Sequence, residues 1–388
     1  MDFRDTPAEA AFRAELRDWL AAELPADWAK RPPQVGHHSP AERREWSRTL
    51  FEAGYVGLTW PTEYGGGGRP YPFQAIYLEE TGRAGAPEHL GVIGLGMAGP
   101  TILVHGTEKQ KQQHLSAIMS ADTVFCQGFS EPGSGSDLAS ITTRADPDGD
   151  GYIVNGQKVW SSWAHLADYC ILLTRTDPAE RGRRGLTYFL LDMRSPGVEV
   201  RPLRQITGDP EFNEIFLTDV RIPAEDVLDA PGNGWGVAMT TLLNERGTLG
   251  FALTSLLEYN LRRLVETVRA VGRADDPVVR DRLGALYVEM EGLRYNNFRS
   301  LTALMKTGIP GPEGSVAKLC WSETNQRLTS FALELLGPDA QLTDEGALWA
   351  GFWQFQQLRS RGNTIEAGTS EVLRNIIAER VVGLPRSR

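Results

Sequence analysis

Three serines on a glycine-rich loop, Ser130, Ser134 and Ser136, and a later run of Trp160, Ser161 and Ser162 are the groups in this chain best suited to chemistry. Hydroxyls and loop amides satisfy the heteroatoms of a flat, polar-rimmed cofactor without adding charge. A solvent loop beside paired strands needs the same residues, and the pattern alone leaves both open. A second group, Ala367-Gly368-Thr369-Ser370, precedes the apolar-periodic Val372, Leu373, Ile376 and Ile377. Unpaired N–H groups and hydroxyls at a helix start favour an anion. An ordinary N-cap uses the same residues.

Other chemistries are weaker. Gly94-Leu95-Gly96-Met97-Ala98-Gly99 fits GxGxxG, but that fingerprint binds a dinucleotide only between a strand and a helix of a βαβ unit. Helical segments flank it on both sides, so close helix packing accounts for its glycines. His37, His38, His89, His105, His114 and His165 show no HExxH or Cys/His spacing, and no serine sits in a GxSxG elbow. No metal and no hydrolase centre are expected. The net charge of -10 argues against a nucleic-acid partner. Cys126, Cys170 and Cys320 lack CxxC spacing, which fits a reducing compartment. No apolar run reaches the length of a membrane span and no signal-peptide core opens the chain. A cytoplasmic protein without membrane contact is expected.

The elements that must position these groups change character along the chain, whose 388 residues allow two or three structural units. Thr6-Pro7-Ala8-Glu9 and Ser39-Pro40-Ala41-Glu42 each read as a capped helix start, with Gly54 as the second helix's stop. Gly65 to Gly68 reads as a flexible break before helices near Phe73–Thr81 and Glu108–Met119. Between Thr123 and Pro223 the pattern turns to short β-branched and aromatic runs. Within it, Val154-Asn155-Gly156-Gln157 reads as a hairpin turn. Helical spacing returns near 235–271, 277–307 and 315–336, with a shorter segment after Thr369. Leu253, Leu256, Leu257 and Leu261 cover more than one helix face, a hint of subunit packing. The boundaries are 1–122 for an N-terminal helical domain, 123–230 for a middle β domain and 231–388 for a C-terminal helical domain.

The ordered motifs FSEPGSGSD (129–137), NGQKVWSS (155–162) and RGNTIEAGTSEVLRN (361–375), with WPTEYGG (60–66) and GTEKQKQQHL (106–115), resemble those of the acyl-CoA dehydrogenases over nearly the whole chain. The resemblance implies an α+β multidomain fold: helical N-terminal domain, β-barrel-like middle domain and C-terminal four-helix bundle, commonly assembled as a tetramer. It implies FAD as cofactor, with Gln127, Gly128, Phe129, Ser130, Ser136, Trp160, Ser161, Ser162, Thr369, Ser370 and Glu371 in contact with it. Ser136 also resembles the residue touching the acyl-CoA, and Ala367, Gly368 and Arg246 fall at substrate-side positions. Glu334 and Gly337 resemble a segment that reaches the adenosine part from a neighbouring subunit.

Departures from the family pattern matter. The position before Gly368-Thr369, where many members carry the catalytic glutamate, is Ala367. Glu366, one residue earlier, is not assigned as base because a one-residue shift on a turn redirects the carboxylate. A branch resembling the isovaleryl- and long-chain enzymes places the glutamate before an arginine on a C-terminal helix. Here that is Glu245-Arg246, so Glu245 is the expected base, against a plain solvated helix charge. Glu334 stands where glutamine is usual. The Arg-x-x-Phe-Gly segment that meets the pyrophosphate is absent near Arg273-Ala274-Asp275-Asp276-Pro277; Arg273, Arg280 or a different partner chain would have to replace it.

The expected function is FAD-dependent α,β-dehydrogenation of an acyl-CoA thioester to the trans-2-enoyl-CoA, in fatty-acid or other lipid metabolism. By resemblance, a carboxylate takes the α-proton, the β-hydride passes to flavin N5, and electrons leave to an electron-transfer flavoprotein. Main-chain N–H at residue 367 meets the charge on the thioester oxygen. Gly247 and Gly250 leave space for a bulky acyl group. The rivals are a half-site or non-catalytic chain of a heteromeric enzyme, a flavin monooxygenase on the same fold, and a helical interaction protein without cofactor.

Overall fold

The computed structural model describes residues 3–26, 28, 38–180, 182–343 and 346–386, apart from Thr248 and the side chains of 245–249. Its helices are α1 (Pro7–Glu23), α2 (Pro40–Glu52), α3 (Tyr71–Ala84), α4 (Gly99–His105) and α5 (Glu108–Ser120), then α6 (Gly234–Gly247), α7 (Leu249–Ala270), α8 (Pro277–Thr307), α9 (Glu313–Leu336), α10 (Phe352–Asn363) and α11 (Ser370–Ile376). Seven strands lie between α5 and α6: β1 (Phe125–Gly128), β2 (Arg144–Asp148), β3 (Gly151–Lys158), β4 (Tyr169–Arg175), β5 (Leu186–Asp192), β6 (Val198–Leu203) and β7 (Phe212–Pro223). Among the described residues no helix is long and apolar enough to cross a membrane.

Local signals set the first helices. Thr6 and Ser39 each accept from the N3 amide while Glu9 and Glu42 reach back to the cap amide, with proline at the first position of both helices.

The chain divides into two compact units, Met1–Pro33 with Pro70–Ala86 and Arg246–Arg388, and Gln34–Arg69 with Pro87–Glu245. The first is helical. In it α7 packs on α3, α8 and α9, α10 packs on α9, and α1 packs on α3. Arg13 ties α1 to α3 through Glu79 and Glu80, at 2.8 and 2.6 Å. Leu257, Leu264, Leu293, Trp321, Leu328 and Trp353 form its core. The four leucines of α7 noted in the sequence lie at this core. Leu257 and Leu261 are buried, with Leu253 and Leu256 packed against the same cluster. The reason is that α7 is covered by three helices of its own chain. Gly250 also leaves no space for a substrate: a Cβ there would stand 2.4 Å from Asn297 Oδ1, and Asn297 Nδ2 donates to the Gly250 carbonyl.

The second unit carries a curled seven-stranded sheet ordered β1-β4-β2-β3-β7-β6, with β5 on the free side of β4. Its core gathers Cys126, Val154, Cys170, Leu172, Phe189 and Ile215. β1 lies parallel to β4 with Cys126 opposite Cys170, both thiols free and buried. Asn155-Gly156 is not a turn. β3 runs through it with a bulge between Val154 and Gly156, and the hairpin closes at Gly149-Asp150 instead. Asn155 is held in the bulge by Asp219 of β7, which exchanges two hydrogen bonds with its side-chain amide at 2.9 and 3.0 Å. A partner distant in sequence thus overrides the local turn preference.

Gly65 to Gly68 is no loose break either. Main-chain bonds from Gly66, Gly67, Gly68 and Arg69 return to Pro61, Gly57, Trp60 and Leu58, and a Cβ on Gly66 would strike the Trp60 carbonyl. The GxGxxG run forms a π-helical turn, Gly94–Ala98, leading into α4. Added Cβ atoms would meet Ile118 at 2.8 Å from Gly94 and the Trp60 ring at 2.1 Å from Gly99. These glycines serve packing.

Candidate functional site

In the sheet-bearing unit, strand β1 delivers the loop that begins at Phe129. Gly128 ends the strand beneath Cys170, whose Sγ a Cβ would approach to 2.7 Å, so the floor is narrow there. The loop turns back on itself by paired main-chain bonds between Glu131 and Ser134, both 3.0 Å. Ser134 shares a hydrogen bond with Ser140 at 2.8 Å. Val159 N–H donates to the Ser130 carbonyl at 2.9 Å, which joins the loop to the end of β3. Two segments far apart in sequence, 127–136 and 158–162, therefore form one surface.

A buried ion pair underlies that surface. Lys158, 0 % exposed, donates from Nζ to Glu131 Oε1 at 2.9 Å and to the Phe129 carbonyl at 3.1 Å. The amides of Thr142 and Thr143 donate to the same carboxylate at 2.7 and 2.8 Å, with the Thr142 hydroxyl at 2.9 Å. Burial works to raise the Glu131 pKa; Lys158 and these donors outweigh it and hold the carboxyl low, at about 2. Sequence reasoning passed over this pair although both residues lie inside the quoted motifs. Its one signal was a lysine at the end of an apolar strand.

Trp160 follows β3 with φ 61° and a side chain 60 % exposed, its ring edge-on to Phe212 at 6.0 Å. A left-handed backbone at an exposed tryptophan is strain retained by its surroundings. Ser161, 1 % exposed, is fixed by Asn213 on both its N–H and its carbonyl. Ser161 Oγ and Gln127 Nε2 meet no hydrogen-bond partner among the described residues. Ser130 and Ser162 are half-buried and Ser136 is exposed.

In the helical unit the chain leaves α10 and turns through residues 364–369 into α11. Ala367 and Gly368 have φ of 50° and 96°. Thr369 caps α11, accepting from Val372 N–H at 3.2 Å. The amides of Ala367, Gly368 and Thr369 meet no acceptor among the described residues. Glu366 is engaged: Arg359 grips both carboxylate oxygens and Asn363 Nδ2 donates at 2.9 Å.

Beside this turn lies a cavity of about 640 Å³ lined by α8, α9, α10 and α11. Ser370, 4 % exposed, lines it with an Oγ that has no partner among the described residues. Glu371 and Glu334 line it too. Glu334 is bound to Arg282, whose guanidinium lowers its pKa. Gly337 ends α9 at φ 57°. Arg273 and Arg280 are bound to Asp276 and Asp275 outside this cavity. Glu245 and Arg246 occupy the last turn of α6, and their side chains lie outside the described residues. Among the described residues no cluster of His, Cys, Asp or Glu is arranged to hold a metal.

Three family models cover the chain in order: acyl-CoA dehydrogenase N-terminal domain at residues 6–122, middle domain at 126–220 and C-terminal domain at 232–382. Acyl-CoA dehydrogenase IpdE1 of Mycobacterium tuberculosis is 40% identical over 380 residues, 97% of each chain. FadE29 of the same organism is 32% identical over 387 residues, 98% of each. Among solved structures, the Tcur3481-Tcur3483 steroid ACAD superposes with TM-score 0.88 at 31% identity over 100% of both chains. The ChsE4-ChsE5 complex from Mycobacterium tuberculosis gives 0.85, also at 31%.

Proposed function

The chain belongs to the acyl-CoA dehydrogenase family, and we propose that it introduces a trans double bond between Cα and Cβ of an acyl-CoA thioester. It is an oxidoreductase, and FAD is the family's cofactor. The residues fit that cofactor: Gln127 Nε2, Ser161 Oγ and Ser370 Oγ are buried polar atoms without a partner among the described residues, at positions where the motifs put flavin contacts. Buried groups left so cost free energy unless a ligand satisfies them. Gln127 through Ser130 and Trp160 through Ser162 would hold the ring system, and Thr369 through Glu371 its tail. When bound, the flavin supplies the acceptor for the substrate hydride.

The proton chemistry belongs to the protein. One observation carries the choice of base: the turn has alanine at 367, and the carboxylate beside it, Glu366, is taken by Arg359 and Asn363. A base must come from elsewhere, and Glu245, in the last turn of α6, is our assignment, as in the isovaleryl- and long-chain-like branch. Ala367 N–H meets the thioester oxygen as negative charge develops there, with Arg246, Gly368 and Ser136 on the substrate side. Related solved structures described as steroid ACADs favour a bulky, polycyclic acyl group. We place the enzyme in the cytoplasm, in lipid metabolism, with an electron-transfer flavoprotein as acceptor and a tetrameric assembly. Glu245→Gln tests the proposal: it should abolish bleaching of the bound flavin by thioester without oxygen while keeping the flavin. Bleaching that survives overturns the assignment.

A second reading has its own support. Arg282, Arg273 and Arg280 are each bound to a carboxylate of this chain, so no arginine of that stretch stands ready for a second copy's diphosphate. A heteromer, in which a different chain provides that contact, follows naturally, and relatives include the two-component ChsE4-ChsE5 complex. Flavin retention by the purified chain alone, against the chain co-expressed with a candidate partner, separates the two.

A further inference from the structure

The turn from Asn363 to Thr369 is held from beneath by side chains of α9. Lys318, on α9 and 2 % exposed, donates from Nζ to the carbonyls of Asn363 at 2.7 Å and Gly368 at 2.8 Å. Ser322, one turn further along α9, donates to the same Asn363 carbonyl at 2.8 Å. Asn325 then reaches Asn363 Oδ1 at 2.9 Å. Residues 318, 322 and 325 share one helix face, so both ends of the turn are fastened to a single rigid element.

The fastening has a direction. Carbonyl and N–H of a trans peptide point opposite ways. With the Gly368 carbonyl drawn in to Lys318, the Thr369 N–H faces away from α9. The neighbouring amides of Ala367 and Gly368, in a left-handed stretch, also meet no acceptor among the described residues. Successive main-chain N–H groups in such turns form a concave donor set for negative charge.

We propose that Lys318 is a positioning residue for the reaction: it keeps the amides of 367–369 turned toward the thioester carbonyl. This rests on the dehydrogenase reading above. Lys318 touches neither the proton nor the hydride in this role. Its effect is to hold donors where charge develops, so that they need no reorganisation as the enolate-like oxygen forms.

Two measurements test it. The first is amide exchange at residues 367–369 in the flavin-loaded enzyme, read by fragmentation mass spectrometry. In the wild type these amides should exchange freely without thioester and slow at least tenfold with an acyl-CoA bound; amides already protected without thioester overturn the proposal. In Lys318→Met the slowing should disappear. The second is flavin reduction by the same thioester: Lys318→Met should lower the limiting rate on the order of 10²-fold with half-saturation changed less than threefold. A wild-type limiting rate overturns it. If Lys318→Met does not fold, Ser322→Ala, which removes the companion donor, should loosen exchange at 367–369 and lower the rate by a smaller factor; no change in either overturns it. A wild-type enzyme whose flavin no thioester reduces sinks the dehydrogenase reading, whereas unchanged exchange in Lys318→Met sinks the Lys318 assignment.

Discussion

The Arg359 guanidinium closes on the Glu366 carboxylate, with NH1 3.2 Å from Oε1 and NH2 3.0 Å from Oε2. That two-pronged grip turns the nearest acid of the α10–α11 turn into a strut. Glu366→Gln should therefore leave flavin reduction within a few-fold of wild type while costing about 1 kcal/mol of stability, read by denaturant unfolding. Glu245→Gln should do the reverse, losing on the order of 10²–10⁴ in rate with an unchanged unfolding midpoint. Swapped outcomes would return the base to the turn.

Ser161 and Ser370 each bury a hydroxyl that no atom of the described residues satisfies. Ser161→Ala and Ser370→Ala should leave the flavin-free protein as stable as before, or slightly more so. Each should weaken FAD binding by roughly tenfold, the value of about one hydrogen bond. Titration of the flavin-free protein, followed by flavin fluorescence, checks this; equal affinity in both variants removes these hydroxyls from the cofactor site.

The Glu131–Lys158 pair makes acid stability predictable. The Glu131 carboxyl sits at about 2 when folded, below its ordinary 4.5. A depressed folded value stabilises the protein fully above the unfolded pKa. That contribution fades as pH falls from about 4.5 toward 2. Glu131→Gln should flatten the stability profile across this window and lower stability at neutral pH, since Lys158 would be left buried beside a neutral amide. A profile as steep as wild type would show that other carboxylates govern acid unfolding.

Gly99→Ala places a methyl group 2.1 Å from the Trp60 ring. Overpacking of this kind costs about 1–3 kcal/mol. The variant should melt earlier, and FAD content per folded molecule should stay at the wild-type value. Selective loss of the cofactor would instead give the GxGxxG run a binding role.

Signals confined to a few residues were legible in the sequence. The capping boxes at Thr6 and Ser39, the short apolar and aromatic run of Leu186–Asp192, and the turn at Thr369 all follow from neighbours within four positions. What escaped depends on partners far along the chain. Asn155-Gly156 has turn composition, yet Asp219 converts it into a bulge. Helix α10 hides its periodicity because Gln354, Gln356 and Ser360 are buried polar residues. Lys158 and Lys318 look like surface charges until the carbonyls they serve are in place. Periodicity reports which face is covered; it does not report that a buried cation has found acceptors.

The helical unit is stitched from three separated stretches, and α3 finds its main cover on α7, where Gly82 rests against Ser255. During synthesis, α3 leaves the ribosome long before α7 exists. The delay from residue 84 to residue 249 is 165 residues, roughly 8–33 s at ordinary elongation rates. Through that interval the face of α3 that α7 covers is bare, with α1 alone packed on its other side, so an N-terminal fragment should be a chaperone client and not a folded domain.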